Sequence, residues 1–238
     1  MKIVITQSMY FPWVGLLEEI KLADILVHYN DVQLSRNSFV NRVEIYTEHG
    51  IRWMTLPLEN FHRGQYIDEV LVSEKTDWRT RHCNQLTAAY RKAPYFNEMM
   101  KVVETVFSQK INNLGELTKT SIMALVDYFD LNKNLITYNS RDLGINGSSS
   151  QRVRDIVKCL NGDIYITGHG AKKYLDHNLF EESGIEVRYM DYQYISYPQI
   201  HGKFTPFVSA LDLIANCGKK GASVISSQAI YWKDFINR

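Results

Sequence analysis

Cysteine and long apolar runs are both scarce in this 238-residue sequence. The three cysteines, Cys83, Cys159 and Cys217, lie far apart and outside any CxxC spacing, which argues against a disulfide framework and a structural zinc site. We predict that they are reduced thiols of the core. The sequence has no run of about eighteen apolar residues and no secretory signal pattern at its start. We therefore expect no membrane insertion, no structural metal and a cytoplasmic location.

An excess of charge of either sign is also missing. Lys and Arg number 27 against 26 Asp and Glu, so the sequence lacks the basic footprint of proteins that bind nucleic acid or anionic membranes. We expect no nucleic-acid partner, and leave homo-oligomer formation open. What the sequence does contain is 45% hydrophobic residues, enough for one sizeable core. No repeat, low-complexity tract or linker interrupts it, so we predict a single domain over residues 1–238.

The order of apolar patterns predicts an α/β fold with a mostly parallel sheet. Residues 2–6 and 25–29 are typical of buried strands, and they flank a helical pattern that Pro12 can open. A strand, helix, strand unit of this kind belongs to parallel sheets. An antiparallel hairpin is predicted over residues 40–46 and 51–56, and a helical layer over residues 78–91, 95–108 and 114–129. The other predicted elements are strands at 66–72, 134–138, 164–167 and 186–189 and helices at 149–159, 208–215 and 229–236.

Polar and aromatic residues follow the first predicted strand. Ligands of open α/β sheets bind at the carboxyl ends of the strands, so this segment is the first candidate for a binding loop. Gln7 offers an amide, and Tyr10 or Trp13 could stack on a nucleotide base. The alternative is that Tyr10 and Trp13 belong to the core, with Pro12 as a helix start. The GxGxxG and GxxxxGKS spacings are missing, so no standard phosphate cradle is predicted.

A second polar cluster follows the second predicted strand. It contains Asn30, Asp31 and Gln33, with Asn41 and Arg42 a few residues later. An Asp at the end of a buried strand can position a substrate hydroxyl or amine, and an Arg can fork onto a phosphate or carboxylate. Turn formation by Asn and Asp explains part of this cluster without any function. We predict that Asp31 is catalytic and that the other four residues bind substrate.

Glycines flank a histidine after the predicted strand at residues 164–167. Gly168 and Gly170 would let backbone approach a ligand closely, and Tyr174 follows as a polar aromatic residue. His169 is the first candidate for an acid or base. A structural hydrogen bond is the alternative role of a histidine in such a loop.

A fourth segment carries polar side chains between two prolines. Gln199 is predicted to bind substrate, and His201 is the second acid or base candidate, with the same structural alternative. We expect all four loops to converge on one pocket. The sequence has no HExxH, GxSxG or EF-hand pattern, which disfavours a metalloenzyme or a serine hydrolase.

These four segments and a fifth one further along the chain together resemble the WbqC-like family. They are QSMYFPWVG, NDVQ followed by NR, YITGHGAKKYLD, YPQIHGKF and SALDLIANCG, in the family's order between Lys2 and Gly218. The family is associated with O-antigen and related surface-polysaccharide (lipopolysaccharide) gene clusters. The resemblance therefore implies work on a nucleotide-linked sugar. Two positions depart from the family pattern, because Thr6 replaces its usual histidine and Val43 its usual asparagine. If that histidine is catalytic in the family, its role is in doubt here or passes to His169 or His201.

Three functions remain open on this basis. The first is an enzyme that transfers an acyl or aminoacyl group to the amine of a nucleotide-linked sugar, which needs a base and donors for the carbonyl oxygen. The second is a noncatalytic sugar-nucleotide binding or scaffold protein of the same pathway. The third is a nucleotidyl-transfer enzyme or ATP-using ligase. The acyl donor and any cofactor stay unknown, because no coenzyme-binding loop is recognisable.

Overall fold

The computed structural model describes residues 1–131 and 133–238, and within them the chain forms eight strands and eight α-helices. The strands are β1 Lys2–Thr6, β2 Ile25–His28, β3 Arg42–Thr47, β4 Gly50–Thr55, β5 Ile136–Asn139, β6 Ile164–Thr167, β7 Glu186–Asp191 and β8 Gln228–Tyr231. The helices are α1 Val14–Lys21, α2 Trp78–Tyr90, α3 Phe96–Ser108, α4 Leu114–Tyr128, α5 Ser149–Cys159, α6 His177–Glu181, α7 Ala210–Cys217 and α8 Trp232–Ile236.

The main sheet has the strand order β5-β2-β1-β6-β7-β8. All neighbours pair in parallel except β7 and β8, which are antiparallel, and β3 pairs with β4 as a separate antiparallel hairpin. The predicted α/β fold with a mostly parallel sheet and an inserted hairpin is confirmed. The strand order reverses between β1 and β6, and this is the point at which doubly wound sheets open a crevice for ligands.

Helices cover both faces of the sheet. Val4 of β1 belongs to one core cluster, and its neighbours Ile3 and Ile5 belong to the other, because successive strand residues point to opposite faces. The first cluster takes residues from α1, α2, α3, α4 and α7, and the second from α5, α6 and α8. The predicted helical layer is therefore one of two. That these layers form a single domain stays a prediction.

Two predicted elements are wrong in type. Residues 66–72 are not a strand: Ile67–Glu69 is a 3-10 turn, and Ile67, Val70 and Val72 reach the core from irregular backbone that isolated bridges join to its neighbours. Residues 229–236 are not one helix, because Gln228–Tyr231 pairs with β7 before α8 begins. The cysteines are free, but Cys159 is exposed and is not a core residue.

Residues 1–131 and 133–238 contain neither a membrane-spanning helix nor a cluster of metal-ligating side chains. Within them no helix combines the length and apolar character needed to cross a bilayer. In the same residues, no group of three or more His, Cys, Asp or Glu side chains is arranged to hold a metal ion.

Candidate functional site

A cavity of ≈ 990 Å³ lies at the reversal point of the sheet. Thr6 and Gln7 line it at the end of β1, and Thr167 and Gly168 line it at the end of β6. Its volume is at the upper end of the roughly 300–1,000 Å³ of small-molecule sites. We call it the main cavity. Eight predicted site residues line it, namely Gln7, Trp13, Asp31, Gln33, Gly168, His169, Gly170 and Tyr174.

His169 is held by its Nε2 atom. Nε2 lies 2.6 Å from the Met190 carbonyl oxygen, and the ring packs on Phe235 with centroids 4.8 Å apart. A carbonyl oxygen only accepts, so the proton is assigned to Nε2 and the Nδ1 lone pair is left free. An exposed imidazole oriented in this way can accept a proton from a ligand in the main cavity.

Glu19 is a cavity residue that the sequence analysis missed. It lies on α1 one turn after Leu16, is 8% exposed and accepts no side-chain hydrogen bond from the residues that the structure describes. Its Oε2 lies 3.7 Å from the place a Cβ would take on Gly168, the residue before His169. Burial raises the pKa of the Glu19 carboxyl to about 8. The available signal was an acid on the apolar side of a predicted helix.

Asp31 lines the main cavity, but both of its carboxylate oxygens are engaged. Oδ1 accepts a hydrogen bond from the Ser140 hydroxyl, and Oδ2 forms an ion pair with Arg152. The guanidinium lies over the ring of Tyr29, 4.9 Å from its centroid, and also donates to the Ile145 carbonyl at 2.9 Å. This geometry makes Asp31 a positioning residue that holds a cation at the wall of the cavity, and we do not assign it as a base.

The start of α5 forms part of the cavity wall. Gly147, Ser148 and Ser149 line it, and Arg152 follows in the first turn of the helix. The first N–H groups of a helix have no partner within it, and the helix dipole favours negative charge there. Gly147 has a φ of +115°, a conformation that suits glycine. The sequence predicts this helix, but none of its patterns marked the start of the helix as part of the cavity wall.

Aromatic side chains form another wall. Trp13 packs edge-on against Tyr192 with centroids 4.9 Å apart, and Phe207 lies 5.8 Å from it. The indole crosses Gly15, where an added Cβ would meet the ring at 2.3 Å, so glycine is needed for Trp13 to lie in this position. The wall offers flat apolar surface of the kind on which a nucleotide base stacks.

Tyr10 does not reach the main cavity, and its predicted stacking role is wrong. The side chain is 0% exposed, and its hydroxyl lies 2.9 Å from Nδ1 of His82, whose Nε2 lies 3.1 Å from the Thr55 carbonyl oxygen. Since the carbonyl fixes the proton on Nε2, the tyrosine hydroxyl donates to Nδ1. Burial lowers the pKa of His82 to about 4, so it is neutral at pH 7. Tyr10 is a core residue, which was the alternative role considered above.

We therefore expect Tyr10→Phe to lower the free energy of unfolding by about 1–3 kcal/mol, because His82 Nδ1 loses its donor in the core. Ligand affinity should stay unchanged, which urea unfolding and calorimetric titration can measure side by side. A weaker affinity at unchanged stability would return Tyr10 to the binding site.

Three residues of the second cluster also lie away from the main cavity. Asn30 is buried, accepts from the Ser8 N–H at 3.0 Å and donates to its hydroxyl at 3.0 Å. Asn41 donates to the carbonyl of Leu56 at 3.5 Å. The Arg42 guanidinium stacks on the indole of Trp53, 4.0 Å from the ring centroid. The side chains of Asn30, Asn41 and Arg42 therefore form bonds and contacts with neighbouring loop and hairpin residues.

The fourth loop, which carries Gln199 and His201, is hydrogen-bonded to α7 and α2 and does not face the main cavity. Gln199 donates to Oδ2 of Asp212 on α7 at 2.8 Å and to the Thr205 carbonyl at 3.0 Å. His201 Nε2 donates to the Ala89 carbonyl at the end of α2 at 2.7 Å. The expectation that all four loops share one pocket is thus wrong for this one. His201 and Gln199 stabilise the loop, which was the structural alternative for the histidine.

Comparison with known proteins agrees with the motifs. The model of the WbqC-like protein family matches residues 7–224, a range that includes every cavity residue from Gln7 to Phe207. A protein of Mycobacterium tuberculosis (strain ATCC 25618 / H37Rv) named Uncharacterized protein Rv1507c is 32% identical over 222 residues, which cover 91% of this chain and 94% of that protein. No solved structure matches the chain significantly.

Proposed function

This chain belongs to the WbqC-like protein family, and from that premise we propose that it is an enzyme of surface-polysaccharide (O-antigen) biosynthesis. The proposed reaction transfers an acyl or aminoacyl group to the amine of a nucleotide-linked amino sugar. The observation that carries the proposal is that Glu19 and His169, two groups able to exchange protons, both line the main cavity. Perturbed acids in clefts are typical of catalytic sites.

The walls of the main cavity suit the proposed nucleotide-linked sugar. The volume of ≈ 990 Å³ admits a ligand larger than a monosaccharide. The base can stack on the wall formed by Trp13 and Tyr192, and the phosphates can accept from the first N–H groups of α5 near Arg152. These two walls therefore supply the apolar and the cationic parts of the site.

The proposed chemistry forms one bond and breaks one. The amine nitrogen attacks the carbonyl carbon of an activated acyl donor, and the bond from that carbon to its leaving group breaks, so the leaving group departs with the electron pair. The ammonium proton passes to His169 Nδ1, and Glu19, which burial keeps protonated below about pH 8, can donate a proton to the leaving group. The side-chain amides of Gln7 and Gln33 line the cavity and can donate to the carbonyl oxygen as its negative charge develops.

We expect His169→Gln, which removes the base, and Glu19→Gln, which removes the acid, each to lower kcat by about 10²–10⁴-fold with smaller changes in KM, because each group acts only on a proton in transfer. The assay combines nucleotide-linked amino sugars with a panel of acyl and aminoacyl donors. Glu18→Gln is the matched control, since Glu18 is the neighbouring buried acid on α1 and does not line the main cavity.

The same assay separates the alternatives. Binding of a nucleotide-linked sugar with no product from any donor would favour the noncatalytic scaffold, a function made more credible by Thr6 in place of the family's histidine. Thr6 itself lines the main cavity. Failure to bind any nucleotide-linked sugar in a thermal-shift screen would contradict both functions.

A further inference from the structure

A second, smaller pocket of ≈ 240 Å³ lies beside the main cavity, at the ends of β2 and β5. Asp31 lines both, so its ion pair with Arg152 stands between them. We call it the polar pocket, because its walls are His28 and Asn, Asp, Glu, Ser and Arg side chains from the ends of the two strands, from the 3-10 turn at Ile67–Glu69 and from the start of α4. Its volume is below the roughly 300 Å³ at which drug-sized sites begin.

His28 lines the polar pocket and carries an unused hydrogen-bond donor. The Ser8 N–H donates to Asn30 Oδ1, so the Asn30 amide nitrogen faces the Ser8 hydroxyl and donates to it at 3.0 Å. The hydroxyl proton then goes to Nδ1 of His28, 2.9 Å away. This assigns the ring proton to Nε2, which is buried and has no partner in residues 1–131 and 133–238.

Three of the four carboxylates that line the polar pocket are paired with a cation, and the fourth, Asp142, accepts from a neutral amide. Asp68 accepts two hydrogen bonds from Arg141, at 2.5 and 2.7 Å. Glu116 lies 3.8 Å from the ammonium group of Lys119, and Asp142 accepts from Asn139 at 3.0 Å. Their remaining lone pairs can accept hydrogen bonds, but a cation would leave the His28 donor without an acceptor.

We infer that the polar pocket is a second ligand site for a neutral, hydroxyl-rich molecule of about monosaccharide size, separate from the nucleotide-linked ligand of the main cavity. A hydroxyl is the group that satisfies both walls, since it accepts from His28 Nε2 and donates to Glu116 or Asp142. An anion would satisfy His28 but would face four carboxylates, because Asp31 and Asp68 line the same walls. An unpaired buried N–H is costly, so a bonded acceptor stabilises the complex.

The test uses the full chain labelled with ¹⁵N histidine and long-range proton–nitrogen spectra. Glucose, mannose and N-acetylglucosamine are added separately, and we expect the Nε2–H signal of His28 to shift with at least one of them. His82 is the internal control, because it is equally buried and both of its ring nitrogens are bonded. Glu116→Gln should weaken the sugar's apparent affinity about tenfold, as one charged acceptor is lost. Glu104→Gln, an exposed acid of α3, should not change it.

Three outcomes would overturn the inference. They are an unmoved His28 signal with every sugar, a shift produced by ammonium or acetate alone, and an affinity that Glu116→Gln leaves intact. Uridine diphosphate, added without sugar, tests the main cavity separately. If uridine diphosphate binds and no sugar shifts the His28 signal, the second site is refuted and the proposed function stands. If a sugar shifts the signal and uridine diphosphate does not bind, the proposed function is contradicted and the second site stands.

Discussion

Replacing Glu19 with Gln should raise the free energy of unfolding at pH 8 by about 4 kcal/mol. The pKa of Glu19 is raised from 4.5 to about 8 by burial. Between these two pH values the folded chain holds a proton that the unfolded chain has released, so unfolding becomes easier as the pH rises. The slope for one such group is roughly 1.4 kcal/mol per pH unit. The Glu19→Gln variant has no ionisable group at this position, so its free energy of unfolding should not show this part of the fall with pH.

The neighbouring acid provides the control for this result. Burial raises the pKa of Glu18 to about 7, so its share of the loss of stability occurs between about pH 4.5 and 7. Urea unfolding should therefore show that Glu18→Gln flattens the profile below pH 7 and leaves the further fall between pH 7 and 8. Glu19→Gln should remove that further fall. A wild-type stability that stays constant between pH 7 and 8 would refute the assigned burial of Glu19.

The expected gain from Glu19→Gln also bears on function. A buried acid without a hydrogen-bond partner in the described residues destabilises the fold at neutral pH, and a simple amide would be better tolerated. Proteins keep such groups at sites where a perturbed acid does chemistry. A variant that is more stable and less active would agree with the proton transfer proposed for the main cavity.

Much of the fold followed from local patterns. Short β-branched runs between helical stretches predicted the parallel strands, and β6 and α5 begin and end at the predicted residues. Their alternation also predicted that polar loops after β1, β2 and β6 would meet, because the carboxyl ends of parallel strands share one edge. Gln7, Asp31 and His169 do line one cavity.

The fourth loop shows what local patterns could not supply. Gln199 and His201 have the same side-chain chemistry whether they face a ligand or bond to Asp212 and the Ala89 carbonyl, and only the packing of α2 and α7 decides between these two uses. Glu19 is the converse case. Its importance depends on which side of α1 covers the reversal point of the sheet, and periodicity does not show this.

Asp31 is the sequence-predicted catalytic residue whose role the geometry changes most. The Asp31 and Arg152 side chains are each 9% exposed, and the aspartate also accepts from the Ser140 hydroxyl. Removing one member of a buried ion pair leaves the other charge unpaired, which typically costs about 3–5 kcal/mol. A residue that fixes the guanidinium at the cavity wall should therefore affect stability first and ligand affinity second.

We expect Asp31→Asn and Arg152→Met each to lower the free energy of unfolding by about 3 kcal/mol or more, and the double variant to lose much less than the sum of the two. Urea unfolding of all four proteins closes this double-mutant cycle. Arg152→Met should also weaken the binding of uridine diphosphate, because a phosphate-binding cation is lost. Asp31→Asn should change KM for the nucleotide-linked sugar more than kcat, since the guanidinium loses its fixed position. If Asp31→Asn left stability intact while kcat fell a hundredfold, Asp31 would be the base and its bond to Arg152 incidental.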